Sequence, residues 1–293
     1  MKTTFKLLAT SCIAGLMALG GVSAHAQTFP TKPLKFVVPF PAGSATDTVG
    51  RVVAQAMSDA LGQPIAVDNK AGANGIPGAD SVKTAVGDPY TLLVTTSTTQ
   101  AANVSLYKKL PYDPVKDFTP IGMIGSTGFI LMVKPEFPAK DMKEFVAYAK
   151  ANKLAYGHGS SGSLVSGALV AQLGGFEALG VPYKGIPPAL VDLMGGQLQF
   201  AFADVGNAMT QINGGKLKGL GVTTAKRAGK APNIAPIGDT VKGYEVSAWF
   251  ALMAPANIPA ADAKKLGETL RAVLAKPEVK EKLANAGIDL DVQ

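Results

Sequence analysis

"VVPFPAGSATDTVGR", residues 37–51, decides how the chain is read. A strand-like apolar run ends at Phe40 and a Pro-Ala-Gly-Ser turn follows. From Thr46 the apolar positions Val49, Val52, Val53, Ala56, Met57, Ala60 and Leu61 recur at helical spacing until Gly62 stops them. A strand that feeds a helix through a small-residue turn is the unit from which α/β sheets are built. The turn also leaves the first N–H groups of the helix without intrahelical partners, a ready site for an anion. It carries only Gly43 where a dinucleotide loop needs three glycines, and no lysine where a phosphate loop needs one. Asp47 is read as a local cap or ion-pair partner.

The device recurs. The strand Tyr90 to Thr95 runs into "TTSTT" (95–99), and Ala155-Tyr156 runs into "GHGSSGS" (157–163) at another helix start. Loops of this kind converge outside the carboxyl ends of strands, where α/β proteins bind ligands. Glycine, serine and threonine without an adjacent arginine suit a carboxylate held by dipoles and hydroxyls. Strand and helix alternate elsewhere too, which predicts parallel sheets. Helices are expected over 141–151 and 188–194, strands over 129–133 and 198–203, and two C-terminal helical stretches divided around Pro277. The length suits two α/β units better than one continuous sheet. The extended passages 125–130 and 246–254 are the candidate hinge strands between them.

The first 26 residues read as an export signal. Lys2 and Lys6 precede the apolar stretch Leu7 to Val22, and Ala24-His25-Ala26 fits small-residue cleavage. Serine and glycines break that stretch, so a membrane anchor is disfavoured. Cleavage after Ala26 leaves 267 residues, enough for a substantial core, and lowers the formal charge from +7 to +5. It also removes Cys12, the only cysteine, and His25, leaving His158 as the single histidine. Disulfides, thiolate chemistry and Cys or His metal sites are therefore excluded, and no metal or cofactor is expected. No G-x-S-x-G elbow occurs, and His158 has no separate nucleophile and orienting acid in sequence view. Lysines are scattered and not interleaved with aromatics, so nucleic acid is not expected as a partner.

Seven stretches then resemble one family in its own order: "FPTKPLKFVVPFPAGSATD", "LGQPIAVDNKAGANGIPGA", "LYKKLPYDPVKDFTPIGMI", "VPYKG", "GGQLQFAFAD", "GGKLKGLGVTTAKR" and "FALMAPANIPA". They run from Phe29 to the C-terminus and resemble the Bug-type periplasmic solute receptors of tripartite tricarboxylate transporters. The resemblance implies an α/β, two-lobed type II periplasmic binding protein fold with two hinge-strand crossovers. Lobe 1 would comprise 27–126 and 250–293, and lobe 2 would comprise 127–249. It further implies a periplasmic monomer, not an enzyme, that delivers a small carboxylate to membrane transporter subunits.

Carried over by position, Phe40, Ala42, Gly43 and Ser44 belong to the first ligand loop, and Thr98 and Thr99 to the second. Ser160, Ser161 and Ser163 match the second lobe's serine loop, and Asp204 its acidic position, with Tyr183 near the cleft. His158 and Leu164 complete the expected ligand set. Here Leu164 and Val165 stand where relatives are often polar, which with Phe40 suggests an apolar slot for an aromatic carboxylate such as terephthalate. The alternatives are an enzyme on the same scaffold, or a ligand sensor for a signalling partner.

Overall fold

The computed structural model describes residues 29–290. The expected export signal, with Cys12, His25 and the cleavage point, lies outside the described residues. The chain divides into a short unit, Met1–Thr31, and a body, Lys32–Gln293. The body carries every strand and helix of the described residues.

Two five-stranded sheets organise it. The first contains β1 (Leu34–Val38), β2 (Ile65–Asn69), β3 (Thr91–Thr96), β4 (Phe118–Thr127) and β10 (Ala248–Pro255), in the order β2-β1-β3-β10-β4. The second contains β5 (Phe129–Val133), β6 (Leu154–His158), β7 (Ala178–Pro182), β8 (Phe200–Asp204) and β9 (Lys218–Val222), in the order β7-β6-β8-β5-β9. The chain passes to the second sheet through Gly128 and returns between Val222 and Ala248. Both sheets are mixed, where the sequence predicts parallel ones. β1, β2 and β3 are parallel, as are β6, β7 and β8, but β10 and β5 are antiparallel to both neighbours. The reason is topological: both strands lie beside a crossing, so each enters its sheet from the other sheet and not over a helix.

The helices are α1 (Ala45–Leu61), α2 (Ile76–Lys83), the single turn α3 (Asn103–Leu106), α4 (Met142–Ala151), α5 (Ser161–Gly174), α6 (Ile186–Met194), α7 (Val205–Asn213), α8 (Ala260–Leu274) and α9 (Pro277–Asn285). α1 stops where predicted, at Gly62, whose φ of 67° any other residue would adopt at a cost.

The strands show why the sheets are covered on both faces. β5 reads Phe-Ile-Leu-Met-Val and is buried throughout. Phe129, Leu131 and Val133 face a core with Phe145, Phe200 and Phe202. Ile130 and Met132 face the opposite core with Ile186, Leu190 and Ala201. A run apolar at every position is what a strand between two helical layers requires. The first of these cores is aromatic: Phe200 meets Phe145 edge-on at 5.3 Å and stacks on Tyr156 at 5.2 Å between centroids. Burying each such ring contributes about 1.5–3 kcal/mol.

Candidate functional site

Four helices begin at one cleft between the sheets. Its lining includes Ser44, Ala45 and Thr46 at the start of α1, and Gly159 and Ser160 before α5. Ile186 opens α6, and Asp204 precedes α7. Thr96 and Thr98 complete the polar lining, and Phe40, Phe129, Ala248 and Phe250 form the apolar walls. Helix starts gather here because each follows the carboxyl end of a strand, and α1, α5 and α7 follow β1, β6 and β8 within a few residues. Their positive dipole ends and unpaired N–H groups, such as those of Ala45 and Thr46, favour negative charge.

The first loop is fixed from behind. Ser44 Oγ caps α1 by accepting from the Asp47 N–H at 3.2 Å. The Asp47 carboxylate accepts from the Gly43 N–H at 3.0 Å, from Arg51 Nε at 3.0 Å and from Asn69 Nδ2 at 2.9 Å. The same Asn69 amide donates to the Phe40 carbonyl at 2.9 Å. Burial works to raise the Asp47 pKa, but the bonds from Arg51, Gly43 and Asn69 outweigh it and hold the carboxyl below its usual range. Gly43 turns the loop at a φ of 77°. Contrary to the sequence expectation, an arginine does lie one helical turn away, but Asp47 engages it.

The second side is held by a reciprocal cap. Ser160 Oγ accepts from the Ser163 N–H, while Ser163 Oγ accepts from the N–H groups of Gly159 and Ser160, each at 3.1 Å. Gly159 is required by a close approach, since a Cβ there would run into the Gly185 backbone.

The two sides touch. Ser161 Oγ donates to Thr98 Oγ1 at 2.8 Å, with both residues buried. Pro41 packs so closely on Gly185 that a Cβ there would lie 2.5 Å from its ring. The cavity left between them is about 30 Å³, room for one or two waters. A dicarboxylate therefore enters only if the sides separate.

Of the residues singled out from sequence, Phe40, Ser44, Thr98, Ser160 and Asp204 line this cleft, and Ser161 bridges its sides. Ala42 and Gly43 lie exposed on the loop tip. Thr99 turns inward, its hydroxyl shared with Thr95 and donated to the Thr96 carbonyl. Ser163 is fully buried in the cap. His158 is not in the lining and sits beside Tyr156, where burial lowers its pKa. Tyr183 packs over Gly157 and donates to Asp192 at 2.6 Å, a bond that with burial pushes its pKa up to about 12. Leu164 is outside the lining and Val165 is exposed, so of the expected apolar slot only Phe40 is in the walls, and the rest comes from other residues. Phe129 and Phe250 supply it, and their place beside the crossings is the signal that would have found them.

Asp204 is the one titratable side chain in the lining. It makes no side-chain cap to α7, and burial pushes its carboxyl up to about 6. No group of three or more His, Cys, Asp or Glu gathers as a metal would need among the described residues.

Two mixed sheets joined by two crossings, with helix starts facing each other across a cleft, define a two-lobed periplasmic binding protein fold. The chain belongs to the tripartite tricarboxylate transporter receptor family, whose model matches residues 49–292. Among solved structures, the chain is 33% identical to the periplasmic binding protein BugD, with a TM-score of 0.85 over 90% of this chain and 89% of that one. It is 33% identical to MatC from Rhodopseudomonas palustris, solved with bound malate, with a TM-score of 0.83 covering 89% and 91%. A further R. palustris protein, solved with adipate, is 31% identical with a TM-score of 0.87, covering 89% of each chain.

Proposed function

We propose that this chain is an exported receptor that captures a small dicarboxylate with an apolar spacer and presents it to a membrane transporter, without transforming it. The observation that carries the reading is the convergence of four helix starts on one cleft whose walls are phenylalanine, isoleucine and alanine. The helix N-termini suit carboxylates at the ends of the molecule, and Phe40, Phe129 and Phe250 suit the carbon body between them. Related receptors solved with malate and adipate support the dicarboxylate class. An adipate-like chain or a flat ring of the terephthalate type fits these walls better than a hydroxylated acid.

Non-catalysis is supported by the lining: Asp204 stands there without a histidine or second acid, so no nucleophile and base are paired. Lobe boundaries near the crossings, a periplasmic location and a transporter partner belong to the same proposal. Calorimetry with adipate, terephthalate, malate and glutamate tests it. Adipate or terephthalate should bind more tightly than malate, and the ligand should be recovered unchanged. Tighter binding of malate or glutamate, or any turnover, would overturn it.

A further inference from the structure

Behind the crossings lies a larger cavity, of about 680 Å³. Neighbouring residues of the crossings divide between the two cavities. Phe129 and Ala248 line the ligand cleft, whereas their neighbours Gly128 and Ser247 line this rear groove. One wall is the loop after β9, carrying Lys226, Arg227 and Lys230. The other is α9 and the turn after it, carrying Lys280 and Asn285.

Charge makes the groove unusual. Among the described residues, its lining holds four cationic side chains and one carboxylate, that of Asp289. Lys226, Lys230 and Lys280 form no ion pair among the described residues. The loop is nevertheless ordered from within: Thr224 Oγ1 donates to the Lys226 carbonyl at 2.6 Å, and Arg227 Nη1 donates to the Pro232 carbonyl at 3.0 Å. The opposite wall is tied to the crossing by Thr127 Oγ1 donating to the Gly287 carbonyl at 2.8 Å. The volume falls in the range of small-molecule sites. Cations gathered in a concave, partly enclosed space focus potential on it and draw in anions.

We propose that this rear groove is a second binding site, selective for a small molecule with two or more phosphate or carboxylate groups. An anion drawing Lys280 toward Lys226 and Lys230 narrows the groove, and because the groove lies across the crossings from the ligand cleft, it opens that cleft. Occupancy of the two sites is then coupled reciprocally.

Calorimetric titration of the mature protein with pyrophosphate and with tricarballylate tests this without reference to the cleft ligand. At least one should bind, more weakly as salt rises, and the stronger of the two identifies the preferred group. The triple variant Lys226→Gln, Lys230→Gln, Lys280→Gln should lose at least tenfold in affinity with an unchanged melting temperature. Thr98→Val, which removes the acceptor of the Ser161 hydroxyl and so favours the open cleft, should bind the anion at least as tightly as the parent, and the bound anion should raise the radius of gyration of the parent protein. Absence of binding by both probes, or binding kept in the triple variant and lost in Thr98→Val, would overturn the site. An unchanged radius would overturn the coupling.

Discussion

Ser161 Oγ donates a 2.8 Å hydrogen bond to Thr98 Oγ1, tying the start of a helix in the second lobe to the loop after β3 in the first. Both residues are almost fully buried, so neither hydroxyl has bulk water as an alternative partner. In the closed cleft Thr98 Oγ1 accepts the Ser161 proton, and under the proposed function separation of the lobes would free both hydroxyls for a carboxylate.

Ser161→Ala should therefore loosen closure. It removes one buried hydrogen bond and leaves Thr98 short of a partner, a cost of about 1–3 kcal/mol. Small-angle scattering of the ligand-free variant should give a larger radius of gyration than the parent. Equal radii would show that the pair does not latch the lobes.

Asp204 gives a pH signature. Its folded-state pKa of about 6 lies above the usual carboxylate value, so the folded protein holds its proton more strongly than the unfolded chain. The resulting stability is fully present below about pH 4 and is lost as the pH rises through 6, a loss of about 3 kcal/mol. Asp204→Asn should accordingly raise the urea midpoint at pH 8 and leave it unchanged at pH 4. An equal gain at both values would assign the effect to something other than the carboxyl.

The same residue should tune the site. If the cleft holds a carboxylate as proposed, protonated Asp204 would donate to it and the ionised form would repel it. Dicarboxylate affinity should then fall between pH 5 and pH 8 in the parent and stay level in Asp204→Asn, read by calorimetry at constant ionic strength.

Asp47 has the opposite sign. Its depressed pKa means that its stabilisation is present above the unfolded value of about 3.9 and is lost as pH falls through the folded one. Asp47→Ala removes the acceptor for Gly43, Arg51 and Asn69 and should cost about 3 kcal/mol at pH 7. Ligand affinity should drop as well, because the loop is no longer held ready. A variant with parent stability at pH 7 would contradict the network.

Two serines three residues apart should behave differently. Ser163 is the N3 partner in the cap of α5, so Ser163→Ala should cost about 1–3 kcal/mol of stability by leaving the Gly159 and Ser160 N–H groups without an acceptor. Ser160 lines the cleft, so Ser160→Ala should lose ligand affinity beyond its effect on stability. Comparing melting temperature and dissociation constant for the pair separates the roles, and matching profiles would refute the division.

The sequence by itself determined the elements and the chemical character of the site. Val37 to Leu61 carries its strand, turn and helix in local pattern, and Gly62 its stop, because those signals are steric and periodic. The scarcity of cysteine and histidine, and the serine, threonine and glycine loops, likewise set the available chemistry by composition alone. Tertiary structure decided which of those residues face the cleft. Ser160 and Ser163 share one loop, as do Thr98 and Thr99, yet helix and turn geometry aims one of each pair at the cleft and the other inward. Sequence points to Phe40, Leu164 and Val165 for the apolar walls; Phe40 is among them, but Leu164 and Val165 are not, and Phe129 and Phe250, brought together only by the crossings, stand there instead. Arg51 meets Asp47 across one helical turn, but Asn69 reaches both Asp47 and Phe40 only through the pairing of β2 with β1. Side-chain direction depends on register and packing between segments distant in the chain, and no local pattern carries that information.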